Sequence, residues 1–237
     1  MLRSVVSIIA HRGASVARPE NTVDAFGEAR RLGADAVELD VRLTSDDQLA
    51  VVHDAALPGG RLVWRTPRHE LPPSVALFDE ALDACDGMWV NVEIKNSPEE
   101  PGFDPDDRIV DFVVAELVSR STPARWMISS FRPETLDRCR LLAPDLRTAW
   151  LVHEADDAVI EHCVRAGHAA VHPWVGALTA DHVHRCHEAE LAVNTWTCNE
   201  PARMRQLVAA GVDGICTDVP DVLVGVLAEV GADGPAR

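Results

Sequence analysis

The clearest hydrophobic pattern in the chain is a strict alternation of apolar and acidic residues over 37–41, which predicts a β-strand over 36–41 with one apolar and one polar face. A later stretch, 90–95, repeats the alternation and predicts a second strand of the same kind. The polar faces of the two strands carry Glu38, Asp40, Asn91, Glu93 and Lys95. Neighbouring carboxylates repel one another and are costly to bury unless a cation joins them. The pattern therefore indicates either a charged site inside a sheet or barrel, or the wet outer face of an antiparallel sheet.

The rest of the chain alternates between short strand patterns and helical patterns of period 3.6. Eight strands and eight helices are predicted, which is typical of an α/β fold of the single TIM (βα)8 barrel type. The predicted strands cover residues 5–10, 36–41, 90–95, 126–130, 147–152, 169–172, 191–197 and 213–217. Because no linker interrupts the alternation, we interpret residues 1–237 as one domain.

Two irregularities interrupt the alternation near the second strand. An extra short strand is predicted at 49–52, and residues 55–73 are rich in Pro, Gly and Arg without clear periodicity. We interpret 55–73 as a short insertion after the second strand.

The first predicted helix follows Asn21, whose side chain suits a helix N-cap. Its apolar stripe is expected to be buried and consists of Val23, Phe26, Ala29 and Leu32. This helix would connect the first strand to the acidic second strand.

Composition narrows the classes of partner. With 22 basic and 38 acidic residues the formal charge is -16, which argues against nucleic acid and against an anionic membrane surface. No apolar run approaches membrane-spanning length, so we predict no stable membrane insertion, and the first ten residues are too short for a signal peptide. The six cysteines lack CxxC or metal-ligand spacing and indicate a reducing compartment. We therefore predict a cytoplasmic protein.

In a barrel of this type, active sites lie at the C-terminal ends of the strands. The predicted strand ends and the loops that follow them are polar, and they carry His11, Arg12, Glu38, Asp40, His53, Glu93, Lys95, Ser130, His172, Trp196, Thr217 and Asp218. Glu38, Asp40 and Glu93 would point inward together from neighbouring strands. Three carboxylates form an oxygen-only site that suits Mg²⁺, Ca²⁺ or Mn²⁺ better than Zn²⁺.

Eight short motifs occur along nearly the whole chain in a fixed order. They are His-Arg-Gly-Ala at 11–14, Pro-Glu-Asn-Thr at 19–22, Glu-Leu-Asp-Val at 38–41, His-Asp at 53–54, Val-Glu-Ile-Lys at 92–95, Ser-Ser-Phe at 129–131, Asn-Thr-Trp-Thr at 194–197 and Thr-Asp-Val-Pro-Asp at 217–221. Together they resemble the glycerophosphodiester phosphodiesterase family. The resemblance implies a TIM-barrel hydrolase that cleaves small glycerophosphodiesters to glycerol 3-phosphate and an alcohol with the help of a divalent metal.

The resemblance also implies roles for the charged residues at the strand ends. His11 and His53 would be the catalytic acid/base pair, and Glu38, Asp40 and Glu93 would hold one divalent cation, Mg²⁺ or Ca²⁺, with Mn²⁺ as a further option. Two histidines with pKa values near neutrality suit the removal of one proton and the delivery of another.

The remaining site residues would bind substrate or support those that do. The resemblance implies that Arg12 binds the phosphate and that Lys95 faces the phosphate or balances the carboxylates. Trp196 is predicted to form a wall of the substrate site. For Glu20 and Asn21, helix capping and support for Arg12 both remain open.

The resemblance further suggests that the glycerol 2-hydroxyl attacks phosphorus first and gives a cyclic phosphate, which water then opens. An internal hydroxyl held near phosphorus has a high effective molarity, which favours this route. The rival is direct attack by water.

The side of the site that would bind the alcohol is less well defined, because the predicted insertion is shorter than the same segment of the family. Arg61, Trp64 and Arg65 are candidates for contacts to the alcohol. Lysophospholipase D-like action on lysophospholipids remains an alternative and would need an exposed apolar path, for which Leu57, Leu62 and Trp64 are candidates. A non-catalytic phosphodiester-binding protein is a second alternative, although no histidine or carboxylate of the predicted site is lost.

Overall fold

The architecture is seen in a computed structural model that describes residues 6–120 and 122–232. Residues 1–5, 121 and 233–237 lie outside the described part, and with them the start of the first predicted strand at Val5. Within the described ranges, no helix is both long enough and apolar enough to cross a membrane.

The strands form one sheet that closes on itself. In chain order they are β1 (Ser7–His11), β2 (Ala36–Leu43), β3 (Leu49–Val51), β4 (Trp89–Ile94), β5 (Trp126–Ser130), β6 (Arg147–Val152), β7 (Ala170–Pro173), β8 (Ala192–Thr195) and β9 (Gly214–Thr217). β1 pairs in parallel with both β2 and β9, and this double pairing closes the ring of parallel strands. β3 is antiparallel to β2 and lies outside the ring. Eight parallel strands in the described residues confirm the predicted TIM barrel.

The helices alternate with the strands and cover the outside of the ring. They are α1 (Val23–Arg31), α2 (Phe78–Ala84), α3 (Arg108–Ser119), α4 (Pro133–Leu142), α5 (Asp157–Ala166), α6 (Ala180–Glu188), α7 (Pro201–Ala210) and α8 (Pro220–Ala232). Proline opens α4 and α7, where the missing amide hydrogen costs nothing. Glycines in the left-handed conformation end α5 and α7.

The start of α1 differs from the sequence prediction in two respects. Thr22, not Asn21, caps the helix, because the Thr22 hydroxyl accepts the amide of Ala25 while the Asn21 side chain is held in the barrel. Val23 is 45% exposed and does not belong to the buried stripe. The helix instead turns Ala25 toward Gly13, whose φ is +82° and where an added Cβ would lie 2.7 Å from Ala25.

The apolar faces of the strands pack outward beneath the helices. Val37, Leu39 and Val41 of β2 are fully buried there, which the alternation predicted. Inside the ring, a second apolar layer of Met127, Ala149 and Ala170 fills the lower part of the barrel. The inward polar residues lie above this layer, toward the C-terminal ends of the strands.

The segment predicted as an insertion contains two short 3-10 turns, Val63–Arg65 and Arg68–Glu70. Leu57 and Val63 are buried against Ala50 in a small apolar cluster of their own. Leu57 is therefore not part of an exposed apolar path, and that part of the sequence hypothesis is wrong.

Candidate active site

Strand register brings the inward polar residues together at one end of the barrel. His11 of β1 pairs with Glu38 of β2, and Glu38 in turn pairs with Asn91 of β4. Two residues further along both strands, Asp40 pairs with Glu93. Because side chains alternate across each strand, these residues point into the same part of the barrel.

Arg12 lies in the loop after β1 and is held by acidic groups. Its backbone adopts a left-handed conformation with φ of +55°, and its amide donates to Glu38 Oε2 at 3.0 Å. The guanidinium Nη1 donates to both oxygens of Glu20 at 2.9 and 3.0 Å, and Nε lies 3.3 Å from Asp40 Oδ2. Asn21 donates to the same Asp40 oxygen at 2.8 Å. Glu20 and Asn21 thus contact the site directly, in support of Arg12 and Asp40.

Three buried carboxylates form the centre of the site. Glu38, Asp40 and Glu93 each place one oxygen within 4.8 Å of the others. Lys95 lies among them, with Nζ 2.8 Å from Glu93 Oε1 and 3.6 Å from Asp40 Oδ1. Burial opposes ionisation of Asp40, but the charges of Lys95 and Arg12 outweigh it and lower the Asp40 pKa. Burial, reinforced by the charge of Asp40, raises the pKa of Glu38 to about 8.

The donor set fits a hard divalent cation. Glu38 Oε1 is buried and has no hydrogen-bond partner among the described residues, and the same holds for Asn91 Oδ1. Both residues line the same cavity. An oxygen that is buried without a partner is unfavourable, and a cation coordinated by oxygens would satisfy it.

His11 is oriented by a carboxylate that follows β9. Its Nδ1 lies 2.6 Å from Asp218 Oδ1, and its Nε2 lies 4.0 Å from Glu38 Oε2. Asp218 is itself fixed, because it accepts from Ser15 Oγ at 3.0 Å and from Asn199 Nδ2 at 2.6 Å. Burial disfavours the charged imidazole, but the hydrogen bond to Asp218 and the charge of Glu38 outweigh it, so the His11 pKa is raised.

His53 follows β3 and lines the same cavity as His11. Its Nδ1 lies 2.8 Å from Asp54 Oδ1, so the neighbouring carboxylate orients the ring. The backbone carbonyl of His53 accepts from Arg42 Nε at 2.8 Å, and Arg42 is paired with Glu100 at 2.7 Å. Buried Arg42, paired with partly exposed Glu100, therefore anchors the loop that carries this histidine.

A third inward histidine, His172 of β7, has a different environment. Its Nε2 accepts from the amide of Asn194 at 3.0 Å, and burial lowers its pKa to about 3. A histidine that stays neutral and has its ring nitrogen occupied is poorly suited to proton transfer. It packs the floor of the cavity beside the site.

These groups surround a cavity of about 200 Å³. Both histidines, His11 and His53, line it together with Lys95. The far wall is aromatic, because Phe131 and Trp196 meet edge to face with ring centroids 5.4 Å apart. The Trp196 indole is fixed by donation from Nε1 to a backbone carbonyl at 2.7 Å.

A larger cavity of about 540 Å³ adjoins the first, and Lys95 lines both. Trp64 forms one side of it and is 40% exposed. Gly102 lies against this ring, where an added Cβ would be 2.4 Å from Trp64 Cδ1. Two of its cations are already neutralised, Arg42 by Glu100 and Arg108 by Asp47 at 2.7 Å each. Arg61 instead pairs with Glu70 on the surface.

Two residues of the site carried no assigned role in the sequence analysis. Asp218 stands at a predicted strand end, and Asn91 shares the polar face of Glu93, so each had a positional signal. The sequence does not reveal that β9 pairs with β1. This pairing brings Asp218 next to His11, although the two residues are 207 positions apart in the chain.

A sequence model of glycerophosphoryl diester phosphodiesterases matches residues 11–222, which include every residue of the site described above. The chain belongs to the glycerophosphoryl diester phosphodiesterase family. This confirms the resemblance found in the motifs, and the protein is an enzyme of the phosphodiesterase class.

Two curated relatives are similar over nearly their full length. A glycerophosphodiester phosphodiesterase of Caldanaerobacter subterraneus is 28% identical over 94% of this chain and 98% of the relative. A glycerophosphodiester phosphodiesterase of Bacillus altitudinis is 29% identical over 95% of this chain and 100% of the relative. The chain therefore spans the whole length of these family members.

The fold has a close counterpart among solved structures. A phosphodiesterase of Oleispira antarctica, solved in complex with the product sn-glycerol-3-phosphate, aligns with a TM-score of 0.86. The alignment covers 94% of this chain and 97% of that one at 23% identity. At this identity the comparison establishes the barrel architecture.

The raised pKa of Glu38 gives a stability prediction for this family member. On folding, the pKa of the Glu38 carboxyl group rises from 4.5 to about 8. At a pH below 4.5 the group is protonated in both the folded and the unfolded chain and does not lower the free energy of unfolding. As the pH rises from 4.5 toward 8, the unfolded chain loses the proton first, and the free energy of unfolding falls. Glu38→Gln keeps an oxygen for the Arg12 amide and removes the charge. In a solution that contains a metal chelator, we expect the variant to unfold several degrees above wild type at about pH 8.5. At about pH 5 the two proteins should unfold at nearly the same temperature.

Thermal unfolding monitored by circular dichroism at the two pH values measures this difference. Asp54→Asn, which removes a carboxylate outside the three-carboxylate centre, is the matched control and should show no such pH dependence. A Glu38→Gln variant that melts at or below wild type at the higher pH would contradict the argument.

Proposed function

We propose that the protein hydrolyses glycerophosphodiesters to glycerol 3-phosphate and an alcohol by a two-histidine acid/base mechanism that requires one divalent cation. The observation that carries the proposal is that His11, His53, Glu38 and Glu93 line one cavity, with Asp40 grouped with the two glutamates just behind its wall. Family membership supports the reaction class. The product bound to the Oleispira antarctica phosphodiesterase of the same fold supports the substrate class.

His11 is the proposed general acid and His53 the proposed general base. The hydrogen bond to Asp218 stabilises the imidazolium form of His11, so this ring has a proton to give. In the first half of the reaction His53 takes the proton of the attacking hydroxyl, and His11 protonates the oxygen of the departing alcohol. In the second half the roles reverse: neutral His11 takes a proton from water, and His53 returns its own to the glycerol oxygen. Both rings end as they began.

The phosphoryl group is proposed to bind beside Arg12 and Lys95. Within the described residues, the contacts of Arg12 to Glu20 and Asp40 use Nη1 and Nε, which leaves Nη2 for a phosphate oxygen. Lys95 borders the same cavity and adds a second positive charge. Both charges oppose the negative charge that increases on the non-bridging oxygens during the reaction.

Glu38, Asp40 and Glu93 are proposed to hold the cation, Mg²⁺ or Ca²⁺, with Mn²⁺ as a further option. Asn91, whose side-chain oxygen has no partner among the described residues, lines the same cavity and is a candidate for a further ligand. When bound, such an ion supplies positive charge at the phosphoryl group. Lys95 and Arg12 already neutralise part of the negative charge of the three carboxylates. One or two negative charges remain, which a divalent ion would balance.

A panel of glycerophosphodiesters tests the proposal. Glycerophosphocholine, glycerophosphoethanolamine and glycerophosphoglycerol are incubated with the chelated protein and with added Mg²⁺, Ca²⁺ or Mn²⁺. Release of glycerol 3-phosphate is scored by an enzyme-coupled assay. We expect turnover with at least one ion and none in chelator. Release of glycerol together with phosphocholine from glycerophosphocholine, or turnover that survives chelation, would contradict the proposal.

The larger cavity beside Lys95 is proposed to receive the alcohol. Its paired charges and its Thr44, Ser45 and Asn96 side chains suit a small hydroxyl-bearing or zwitterionic group better than an acyl chain. This favours small glycerophosphodiesters over lysophospholipids. In this arrangement Trp64 forms one wall of the alcohol site.

Trp64→Ala therefore raises KM for glycerophosphodiesters with large alcohols by roughly two- to tenfold, the value of one aromatic contact, and leaves kcat nearly unchanged. The measurement is KM and kcat for glycerophosphocholine and for the methyl ester of glycerol 3-phosphate, whose alcohol is too small to reach Trp64. Trp64→Phe is the control and should restore most of the affinity. An equal rise in KM for both substrates would place the alcohol elsewhere.

The cellular compartment is proposed to be the cytoplasm. All six cysteines are free and buried within the described residues. Thiols that persist unpaired are typical of a reducing compartment. Labelling with a thiol reagent after unfolding in non-reducing conditions should therefore modify six thiols per chain.

A further inference from the structure

A second group of ligand-type side chains lies in the helical layer, away from the carboxylate centre. Asp137 of α4, His162 of α5 and His168, which precedes β7, each place one donor atom within 4.8 Å of the other two. None of the three lines the 200 Å³ cavity or the 540 Å³ cavity. The catalytic proposal gives them no role.

His168 is the most buried member of the group. Its side chain is 0% exposed, and Nε2 has no hydrogen-bond partner among the described residues. Nδ1 lies 2.9 Å from Thr148 Oγ1, which can accept a hydrogen bond from Nδ1–H. That arrangement fixes the ring and leaves the lone pair of Nε2 directed toward Asp137, whose Oδ1 lies 3.9 Å away.

His162 presents a second free nitrogen to the same point. Its Nε2 is also buried without a hydrogen-bond partner in the described part of the chain. Its ring packs on Trp150 with centroids 4.8 Å apart, and the two histidine rings are 5.9 Å apart. Nδ1 lies 3.2 Å from Nη2 of Arg165, an exposed side chain that can move away when Nδ1 carries the proton.

We propose that Asp137, His162 and His168 form a binding site for a divalent transition metal, with Zn²⁺ the best match. Two imidazole nitrogens and one carboxylate oxygen are borderline ligands, which Zn²⁺ prefers and which Mg²⁺ and Ca²⁺ do not. A water molecule completes a tetrahedral set of four. The carboxylate centre in the barrel has the opposite preference, so ligand chemistry separates the two sites.

The position of the site indicates a structural role. Asp137 and His162 belong to neighbouring helices, and His168 leads into β7, so one ion would tie three elements together. Binding to the folded chain alone would raise its stability by mass action. Arg140 and Arg165 lie close by and weaken the attraction for a cation. We therefore expect an affinity in the micromolar range and no effect on hydrolysis at saturating Mg²⁺.

Titration of the full chain with Co²⁺ in a large excess of Mg²⁺ tests the proposal, because Mg²⁺ fills the carboxylate centre and tetrahedral Co²⁺ absorbs visible light. We expect one equivalent of Co²⁺ to bind, to be displaced by Zn²⁺ and to raise the unfolding temperature. Asp137→Asn and His162→Gln should each weaken binding roughly tenfold or more. The control, His184→Gln, alters an exposed histidine of α6 and should bind as wild type.

Asp137 is 51% exposed, so Asp137→Asn tests the site without disturbing the core. The phosphodiesterase activity of this variant in Mg²⁺ should equal that of wild type, which shows that the protein is folded. Unchanged Co²⁺ affinity in both variants would overturn the proposal. So would the absence of any Mg²⁺-resistant Co²⁺ binding in wild type, which would mean that only a water molecule bridges the three side chains.

Discussion

His11→Ala lowers kcat on glycerophosphocholine by roughly two to four orders of magnitude, the usual scale for the loss of a general acid or base. The physical reason is that choline leaves as a poor leaving group unless its oxygen receives a proton, and the imidazolium paired with Asp218 is placed to supply it. An ester of glycerol 3-phosphate with p-nitrophenol needs no such proton. We therefore expect the same variant to keep most of the wild-type rate of the first step on that ester, measured in a single turnover as release of p-nitrophenolate, although opening of the cyclic phosphate, which also uses His11, is slowed.

His53→Ala is the matched control, because a general base is needed with either leaving group. It should lose activity on both substrates by a similar factor. The stabilisation of each variant by Mg²⁺, followed by thermal unfolding, should resemble that of wild type because neither ring belongs to the carboxylate centre. If His53→Ala were active on the p-nitrophenyl ester and His11→Ala were not, the two roles would be exchanged. If neither substitution lowered kcat on glycerophosphocholine, the acid/base pair would be wrong.

The barrel could be predicted from the sequence because each strand carries its own signal. Val37, Leu39 and Val41 face the helices and the intervening residues face the interior, so a period of two decides which side chains meet. The strands at 126–130 and 147–152 have the bounds that were predicted, because each is a local apolar pattern.

The carboxylate centre could also be predicted, because Glu38 and Asp40 are two residues apart on one strand and Glu93 repeats their position on the next. The three then meet in the register that the structure shows, in which Asp40 pairs with Glu93 across neighbouring parallel strands. Lys95 was expected to balance these charges or to face the phosphate. The structure places its Nζ within 3.6 Å of both Asp40 and Glu93, and also at the border of the cavity.

Features that depend on long-range closure were not predictable in this way. Asp218 meets His11 only because β9 closes the ring against β1. Asn21 carries a cap-forming side chain, but its left-handed backbone turns that side chain toward Asp40, and the next residue takes over the cap. The burial of Leu57 depends on how an irregular segment packs on β3, and no periodicity in the sequence reports such packing.

In the proposed mechanism, the charges of the site allow one set of side chains to serve both halves of the reaction. Glu38 lies next to His11 on one side and belongs to the carboxylate centre on the other. A cation held by Glu38 would weaken the hold of this carboxylate on the His11 proton. Asp218 is then the main hydrogen-bond partner of the protonated His11 ring. Burial opposes ionisation of Asp218, but its hydrogen bonds to His11 and Asn199 outweigh this and lower its pKa to about 2.

Removal of the 2-hydroxyl from the glycerol of the substrate should abolish turnover while leaving binding nearly intact. If that hydroxyl is the nucleophile, its oxygen attacks phosphorus, the bond to the alcohol breaks, and a cyclic phosphate forms before water opens it. An internal nucleophile has an effective molarity of roughly 10⁵–10⁸ M, so its loss cannot be made up by water at ordinary concentration. We expect kcat for the propane-1,3-diol analogue of glycerophosphocholine to fall by roughly three orders of magnitude or more.

Binding and chemistry can be separated on the same analogue. Its phosphate still meets Arg12 and Lys95 and its choline still enters the larger cavity, so it should act as a competitive inhibitor with an inhibition constant within roughly tenfold of the parent KM. Phosphorus NMR of a rapidly quenched reaction with the parent should show a five-membered cyclic phosphate that forms and then decays. Direct attack by water needs neither the hydroxyl nor the cyclic species. Comparable kcat values for the analogue and the parent, without a cyclic intermediate, would therefore establish the water mechanism and leave His53 as the base that activates that water.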